Sequence, residues 1–157
     1  MPIQRLVHIG LCVSDLERSR RFYRDALGFR EVSRLETASE PTRRLLQLPD
    51  ADLCAVFLER DGLRLELLHF AKTAPAAGPR PRPMNAPGFT HIALRVDALD
   101  ATLEALRRAG ATPLDDTRMD NPEFEARAAI ALDPDGNRLE LIEAPGDPAD
   151  PIGEPLA

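Results

Sequence analysis

Asp61-Gly62-Leu63-Arg64-Leu65-Glu66-Leu67 recurs as Asp135-Gly136-Asn137-Arg138-Leu139-Glu140-Leu141, with six of the seven positions identical. Asp-Gly ahead of an alternating apolar run reads as a tight turn opening into a strand. Its recurrence marks an internal duplication, and the match extends outward. Val7-His8-Ile9-Gly10-Leu11-Cys12-Val13 sets against Thr90-His91-Ile92-Ala93-Leu94-Arg95-Val96. Both alternate an apolar residue with a small, polar or ionisable one, the period of a strand with one face on a core. A helical pattern follows each. Ser14-Asp15-Leu16-Glu17 reads as a capping box with Ser14 as N-cap, Leu16, Tyr23, Ala26 and Leu27 form an apolar stripe, and Gly28 suits the left-handed position after the helix. In the second copy Asp97 is the expected N-cap, Leu99, Leu103 and Leu106 form the stripe, and Gly110 ends it. Strands are expected at 43–48, 53–60 and 126–132 ahead of or within each closing hairpin. Each copy is therefore strand, helix and three strands, and the fold class is α+β built from tandem βαβββ modules.

Proline placement divides the chain. Pro75, Pro79, Pro81, Pro83 and Pro87 fall within 71–88, a density no helix or strand tolerates because each proline removes a donor and fixes φ. The expected organisation is a first module at 4–70, a linker at 71–88, a second module at 89–144 and a tail at 145–157. Twenty basic residues stand against 26 acidic ones, a net charge of −6, which argues against a nucleic-acid partner that would need a basic face. No apolar run approaches the length of a membrane span, and the first residues lack the apolar stretch of a secretion signal. Cys12 and Cys54 make no motif, so a reducing cytoplasm is the expected compartment.

Four ionisable residues occupy matched positions: His8 with His91, and Glu66 with Glu140. Strand parity sets His8 on the face of Leu6, Gly10 and Cys12, opposite the face expected to lie under the helix. His91 shares its face with Phe89, Ala93 and Arg95, Glu66 with Arg64 and Leu68, and Glu140 with Arg138 and Ile142. Each copy thus presents one imidazole and one carboxylate away from its helix. Two of each suit a divalent first-row ion, Zn, Ni, Co, Mn or Fe. Such an ion polarises a carbonyl and stabilises an enediolate, while a carboxylate acts as base at the acidified carbon. His69 lies on the opposite face from Glu66 and is expected to be structural. Arg95 has the planar fork for a substrate carboxylate or phosphate, with a solvated rim position as the equal alternative. Arg64 and Arg138 are expected in ion pairs or at solvated edges, Cys12 as a small buried residue, and Leu6 and Phe89 in an apolar wall.

These residues carry a resemblance. The chain resembles the vicinal oxygen chelate superfamily, the group of glyoxalase I, bleomycin-resistance proteins and extradiol dioxygenases, over about residues 5–144. It rests on His8 followed by Leu27-Gly28-Phe29, on Gly88-Phe89-Thr90-His91-Ile92-Ala93-Leu94-Arg95-Val96-Asp97, and on Asp133-Pro134-Asp135-Gly136-Asn137-Arg138-Leu139-Glu140-Leu141. The resemblance implies paired βαβββ modules around a metal cavity, commonly in a homodimer acting on a small molecule. His8, Glu66, His91 and Glu140 reproduce the His, Glu, His, Glu ligand set of bacterial glyoxalase I. The implied function is a lyase or isomerase moving a proton alpha to a carbonyl through a metal-bound enediolate, with Glu140 as base and ligand and Glu66 on the other substrate face. The alternatives it leaves are an epimerase of the methylmalonyl-CoA type, a metal-free antibiotic-binding resistance protein, and an Fe(II) extradiol dioxygenase.

Overall fold

Both copies fold as four-stranded mixed sheets in a computed structural model that describes residues 2–73, 82–123 and 125–150. The chain falls into two compact units, Met1–Pro79 and Arg80–Ala157. The first holds β1 (Ile9–Cys12), α1 (Leu16–Arg21), β2 (Arg30–Thr37), α2 (Glu40–Leu46), β3 (Leu53–Arg60) and β4 (Leu63–Phe70), with sheet order β1-β4-β3-β2. The second holds β5 (His91–Arg95), α3 (Leu99–Arg108), β6 (Thr112–Asn121), β7 (Ala126–Leu132) and β8 (Arg138–Glu143), with order β5-β8-β7-β6. In each unit the first strand pairs parallel with the last, and the remaining pairs are antiparallel. The helix after the first strand is the crossover that this parallel seat requires. Part of the proline-rich stretch, 74–81, and the end of the tail, 151–157, lie outside the described residues.

The alternation in the repeated phrase decides which face is core. Leu65 and Leu67 are buried in the first sheet, as are Leu139 and Leu141 in the second, each burial stabilising by about 1.5–3 kcal/mol. Period-two geometry then turns Glu66 and Glu140 to the other face. Val13, Leu16, Tyr23 and Leu27 close the first core, and Leu99, Leu103 and Leu106 the second.

Four local expectations need correction. Residues 43–48 are not a strand. The Ser39 side chain accepts from the Thr42 backbone N–H and a proline occupies the first turn, so α2 forms there instead, and β2 lies upstream at Arg30–Thr37. β2 is an edge strand rich in charge, which hid its period. Second, Asp15 rather than Ser14 caps α1, accepting from the Arg18 N–H, while Ser14 Oγ accepts from the Arg18 guanidinium. Third, Ala98 rather than Asp97 is at the N-cap of α3 and offers no oxygen; Glu143 on β8 accepts from the Leu99 N–H at 2.6 Å. Fourth, Cys12 is exposed, because it stands on the face of β1 that the helix does not cover. One further feature had no sequence signal. α1 continues as a π-helical turn, Phe22–Ala26, whose extra residue lets Phe22 and Tyr23 both reach the core.

The Asp133-Pro134-Asp135-Gly136-Asn137 stretch acts through its first residue. Buried Asp133 accepts from the backbone N–H groups of Asp135 and Asn137 at 2.9 and 2.8 Å, and from Asn137 Nδ2 at 2.9 Å. That closes the turn that feeds Glu140 into β8. Asp133→Ala is expected to cost about 2–3 kcal/mol, because each buried donor left unmet is penalised. Urea unfolding of the variant checks this; an unchanged midpoint would show that water replaces the carboxylate.

Candidate metal-binding and active site

Each unit brings together the two ionisable residues that the repeat singles out. His8 precedes the first paired residue of β1, and its Nε2 lies 3.2 Å from Glu66 Oε2. His91 opens β5, and its Nε2 lies 3.0 Å from Glu140 Oε2. The parallel ladders explain the coincidence. Gly10 is registered with Glu66 and Ala93 with Glu140, so the histidine two residues upstream reaches along its strand to the same carboxylate. Small residues at those two positions leave the carboxylates room; a Cβ on Gly10 would stand 3.8 Å from Glu66 Oε2 and 3.0 Å from Leu68.

The pairs are alike in geometry and unlike in surroundings. The Glu66 side chain is 12% exposed and the Glu140 side chain 32%. The His8 ring meets the edge of Phe57 on β3, with centroids 5.4 Å apart. Phe57 is registered opposite Glu66, where the second unit has Ile130 opposite Glu140. The His91 ring is instead held through its other nitrogen, since Thr90 Oγ1 lies 2.9 Å from Nδ1. Phe57 and Thr90 are thus neighbours of the site that strand parity did not select, whereas Gly10 stood on the His8 face by parity. Thr90 was readable as a hydroxyl beside a histidine, whereas Phe57 and the pairing of Gly10 with Glu66 needed the register.

The other residues fall into place around these pairs. Arg95 Nη2 donates to the Ala144 and Pro145 carbonyls at 2.8 and 2.9 Å, pinning the chain as it leaves β8. Arg64 Nη2 donates to Glu59 at 2.8 Å, an ion pair as expected. His69 Nδ1 lies 3.3 Å from the Val13 carbonyl and ties β4 to the end of β1. Leu6 lines a hollow with His8, and Phe89 is 85% exposed.

The donor set fits a divalent first-row ion. Two ligands at right angles, each about 2.1 Å from a metal, stand about 3.0 Å apart. The two Nε2–Oε2 separations, 3.2 and 3.0 Å, are those of hydrogen-bonded pairs and also lie close to that span. Imidazole with carboxylate also suits Zn, Ni, Co, Mn or Fe better than a soft ion. Among the described residues no group of three or more His, Cys, Asp or Glu side chains is gathered for a metal.

Tandem βαβββ units that present matched imidazole–carboxylate pairs define a duplicated scaffold. The model of the Glyoxalase/Bleomycin resistance protein/Dioxygenase superfamily matches residues 5–141, and the chain belongs to that superfamily. It is similar to the lactoylglutathione lyase of Haemophilus influenzae, 31% identical over 145 residues that span 88% of this chain and 92% of that one. It is also similar to the mitochondrial methylmalonyl-CoA epimerase of Mus musculus, 30% identical over 113 residues, 71% of this chain. The match spans 57% of that epimerase's length. The fold is shared with a glyoxalase family protein from Bacillus cereus at a TM-score of 0.78, with 20% identity and coverage of 93% of this chain and 97% of that one. Among the described residues no helix is long and apolar enough to cross a membrane.

Proposed function

We propose that this chain is a divalent-metal-dependent lyase or isomerase of the glyoxalase I type, which moves a proton at the carbon beside a carbonyl of a small substrate. The observation that carries this reading is the pair of matched contacts, His8 with Glu66 and His91 with Glu140, at the spacing of adjacent metal ligands. Similarity to a lactoylglutathione lyase over nearly the whole of both chains supports it. His8, Glu66, His91 and Glu140 hold the ion, so both modules are required, from one chain or from two chains of a homodimer. When bound, the ion supplies Lewis-acid polarisation of substrate oxygens and acidifies the adjoining C–H.

The protein's own groups divide the remaining work. Glu140, the more exposed carboxylate, takes and returns the proton. Glu66, more enclosed and backed by the Phe57 contact to its histidine, stays in place and faces the other side of the substrate. Arg95 keeps Nε and Nη1 outside its two carbonyl bonds and offers them to a substrate anion. The chain acts in a reducing cytoplasm.

Thr90 is placed to support the tautomer of His91 that ligation requires. For Nε2 to ligate, Nδ1 must carry the hydrogen, and Thr90 Oγ1 accepts it. Thr90→Val, nearly isosteric, is expected to weaken metal affinity about 10–100-fold, and Thr90→Ser to restore it. Competition against a chromogenic chelator measures both; equal affinity in Thr90→Val would remove the role.

The second reading is an epimerase, which returns the proton to the carbon it left; similarity to the mouse methylmalonyl-CoA epimerase favours it. Turnover separates the readings. Metal-loaded protein is offered hemithioacetals of 2-oxoaldehydes and, separately, 2-methyl acyl-CoA esters. Thioester formation from the first establishes the lyase, and racemisation of the second the epimerase. Oxygen uptake with catechols, or a tight drug complex without metal or turnover, overturns both.

A further inference from the structure

We propose that Phe57 is a positioning residue: its ring holds the His8 imidazole in the plane that ligation needs, in place of the hydrogen bond that the second module gives His91. It rests on the functional reading above only in taking a divalent ion as the ligand of His8.

The two modules differ by an exchange at two matched positions. Thr90 stands ahead of His91, and its hydroxyl oxygen lies 2.9 Å from His91 Nδ1. The matching residue ahead of His8 is Val7, whose side chain has no oxygen or nitrogen to offer. Among the described residues no hydrogen bond reaches His8 Nδ1, and the polar contact of the ring is Nε2 with Glu66. The deficit is met from another strand. Phe57 is registered opposite Glu66, where the second module has Ile130 opposite Glu140. The Phe57 and His8 rings meet edge-on, with centroids 5.4 Å apart and planes inclined by 63°. Among the described residues no aromatic ring meets His91 in this way. Each histidine thus has one restraint besides its glutamate, and the kind of restraint is exchanged between the modules.

Topology lets the contact form. β4 lies between β1 and β3, so the strands flanking it are about 9–10 Å apart. Gly10, Glu66 and Phe57 stand in one row across the sheet, and Gly10 puts no side chain into the gap. An aromatic side chain reaches past β4 to His8, a span for which isoleucine is short.

The chemical consequence concerns the ring plane. The last torsion of a histidine side chain is broad, so a carboxylate at Nε2 alone leaves the ring free to rock. An edge-on aromatic neighbour narrows that motion, and such contacts are worth up to about tenfold in an equilibrium constant beyond the area they bury. A ring ordered before the ion arrives spares binding the cost of ordering it.

Phe57→Ile, which installs the second module's residue, is expected to weaken zinc affinity of the full-length protein about 3–10-fold in chelator competition, whereas Phe57→Tyr stays within about twofold of wild type. In metal-free protein, ¹³C relaxation at the His8 ring is expected to report a rigid ring in the wild type and a mobile one in Phe57→Ile, with the His91 ring unchanged. Val7→Thr completes a double-mutant cycle. In Phe57→Ile it supplies the missing hydroxyl and is expected to restore affinity and rigidity; in the wild type, where the ring is already held, it changes affinity by less than about twofold. A residue that only packs the sheet would leave the effect of Val7→Thr equal in both backgrounds. Thermal unfolding checks that each variant is folded, and Phe57→Leu replaces Phe57→Ile if the latter is not. A His8 ring as rigid in the folded aliphatic variant as in the wild type, a loss in Phe57→Tyr as large as in that variant, or a Val7→Thr effect independent of residue 57 overturns the proposal. Wild-type protein that binds no divalent metal overturns the functional reading instead, and the relaxation measurement, made without metal, still decides the role of Phe57.

Discussion

Glu140→Gln is expected to lower proton exchange at the substrate carbon by about 10²–10⁴-fold, the usual worth of a positioned general base. Glutamine keeps the size of the side chain and an oxygen for ligation, but has no basic carboxylate to accept the proton. The position makes the loss specific. Glu140 is 32% exposed, so its carboxylate is open to a substrate as well as to His91. Glu66, at 12% exposed, has less freedom. Glu66→Gln is therefore expected to cost less in exchange than Glu140→Gln. The measurement is deuterium entry from solvent into recovered substrate and product, read by mass spectrometry at matched metal content. Deuterium entering Glu140→Gln product at the wild-type rate would move the base elsewhere, with Glu66 the first candidate.

His91→Ala is expected to remove stoichiometric divalent metal from the purified protein and to abolish turnover with it. Losing a hydrogen bond that merely supports a ligand costs about 10–100-fold in affinity, so losing the ligand itself should exceed 100-fold. The alanine also leaves the Glu140 carboxylate without the imidazole 3.0 Å away that we propose as its fellow ligand. Elemental analysis after dialysis against a weak chelator reads the outcome, and a thermal unfolding curve on the same sample separates lost metal from a lost fold. Full metal retention in a folded His91→Ala would sink the four-ligand reading. His8→Ala should behave in the same way, since the two histidines are repeat partners; a variant that kept its metal would mean that the ion is held by the second module's pair without the first.

The sequence was most informative where a period could repeat. Alternation in residues 61–67 and 135–141 reported the buried face, and the matched histidines and glutamates followed by parity. Its failures share a cause. Residues 43–48 are apolar enough to read as a strand, but a serine cap and a proline in the first turn decided for a helix. Asp97 is a good capping residue whose place was taken by Glu143, remote in sequence and brought to α3 by the sheet. Phe57 and the pairing of Gly10 with Glu66 are likewise invisible before β1, β3 and β4 are registered.

The amino-acid sequence by itself determined the duplication, the βαβββ order, the buried face of each sheet and the candidate residues His8, Glu66, His91 and Glu140. These depend on local period and on comparison of one copy with the other. Only the tertiary structure decided that each histidine meets its own module's glutamate, and that Phe57 backs one pair where Thr90 supports the other. Those facts depend on strand register and on contacts between segments far apart in the chain, which no local pattern encodes.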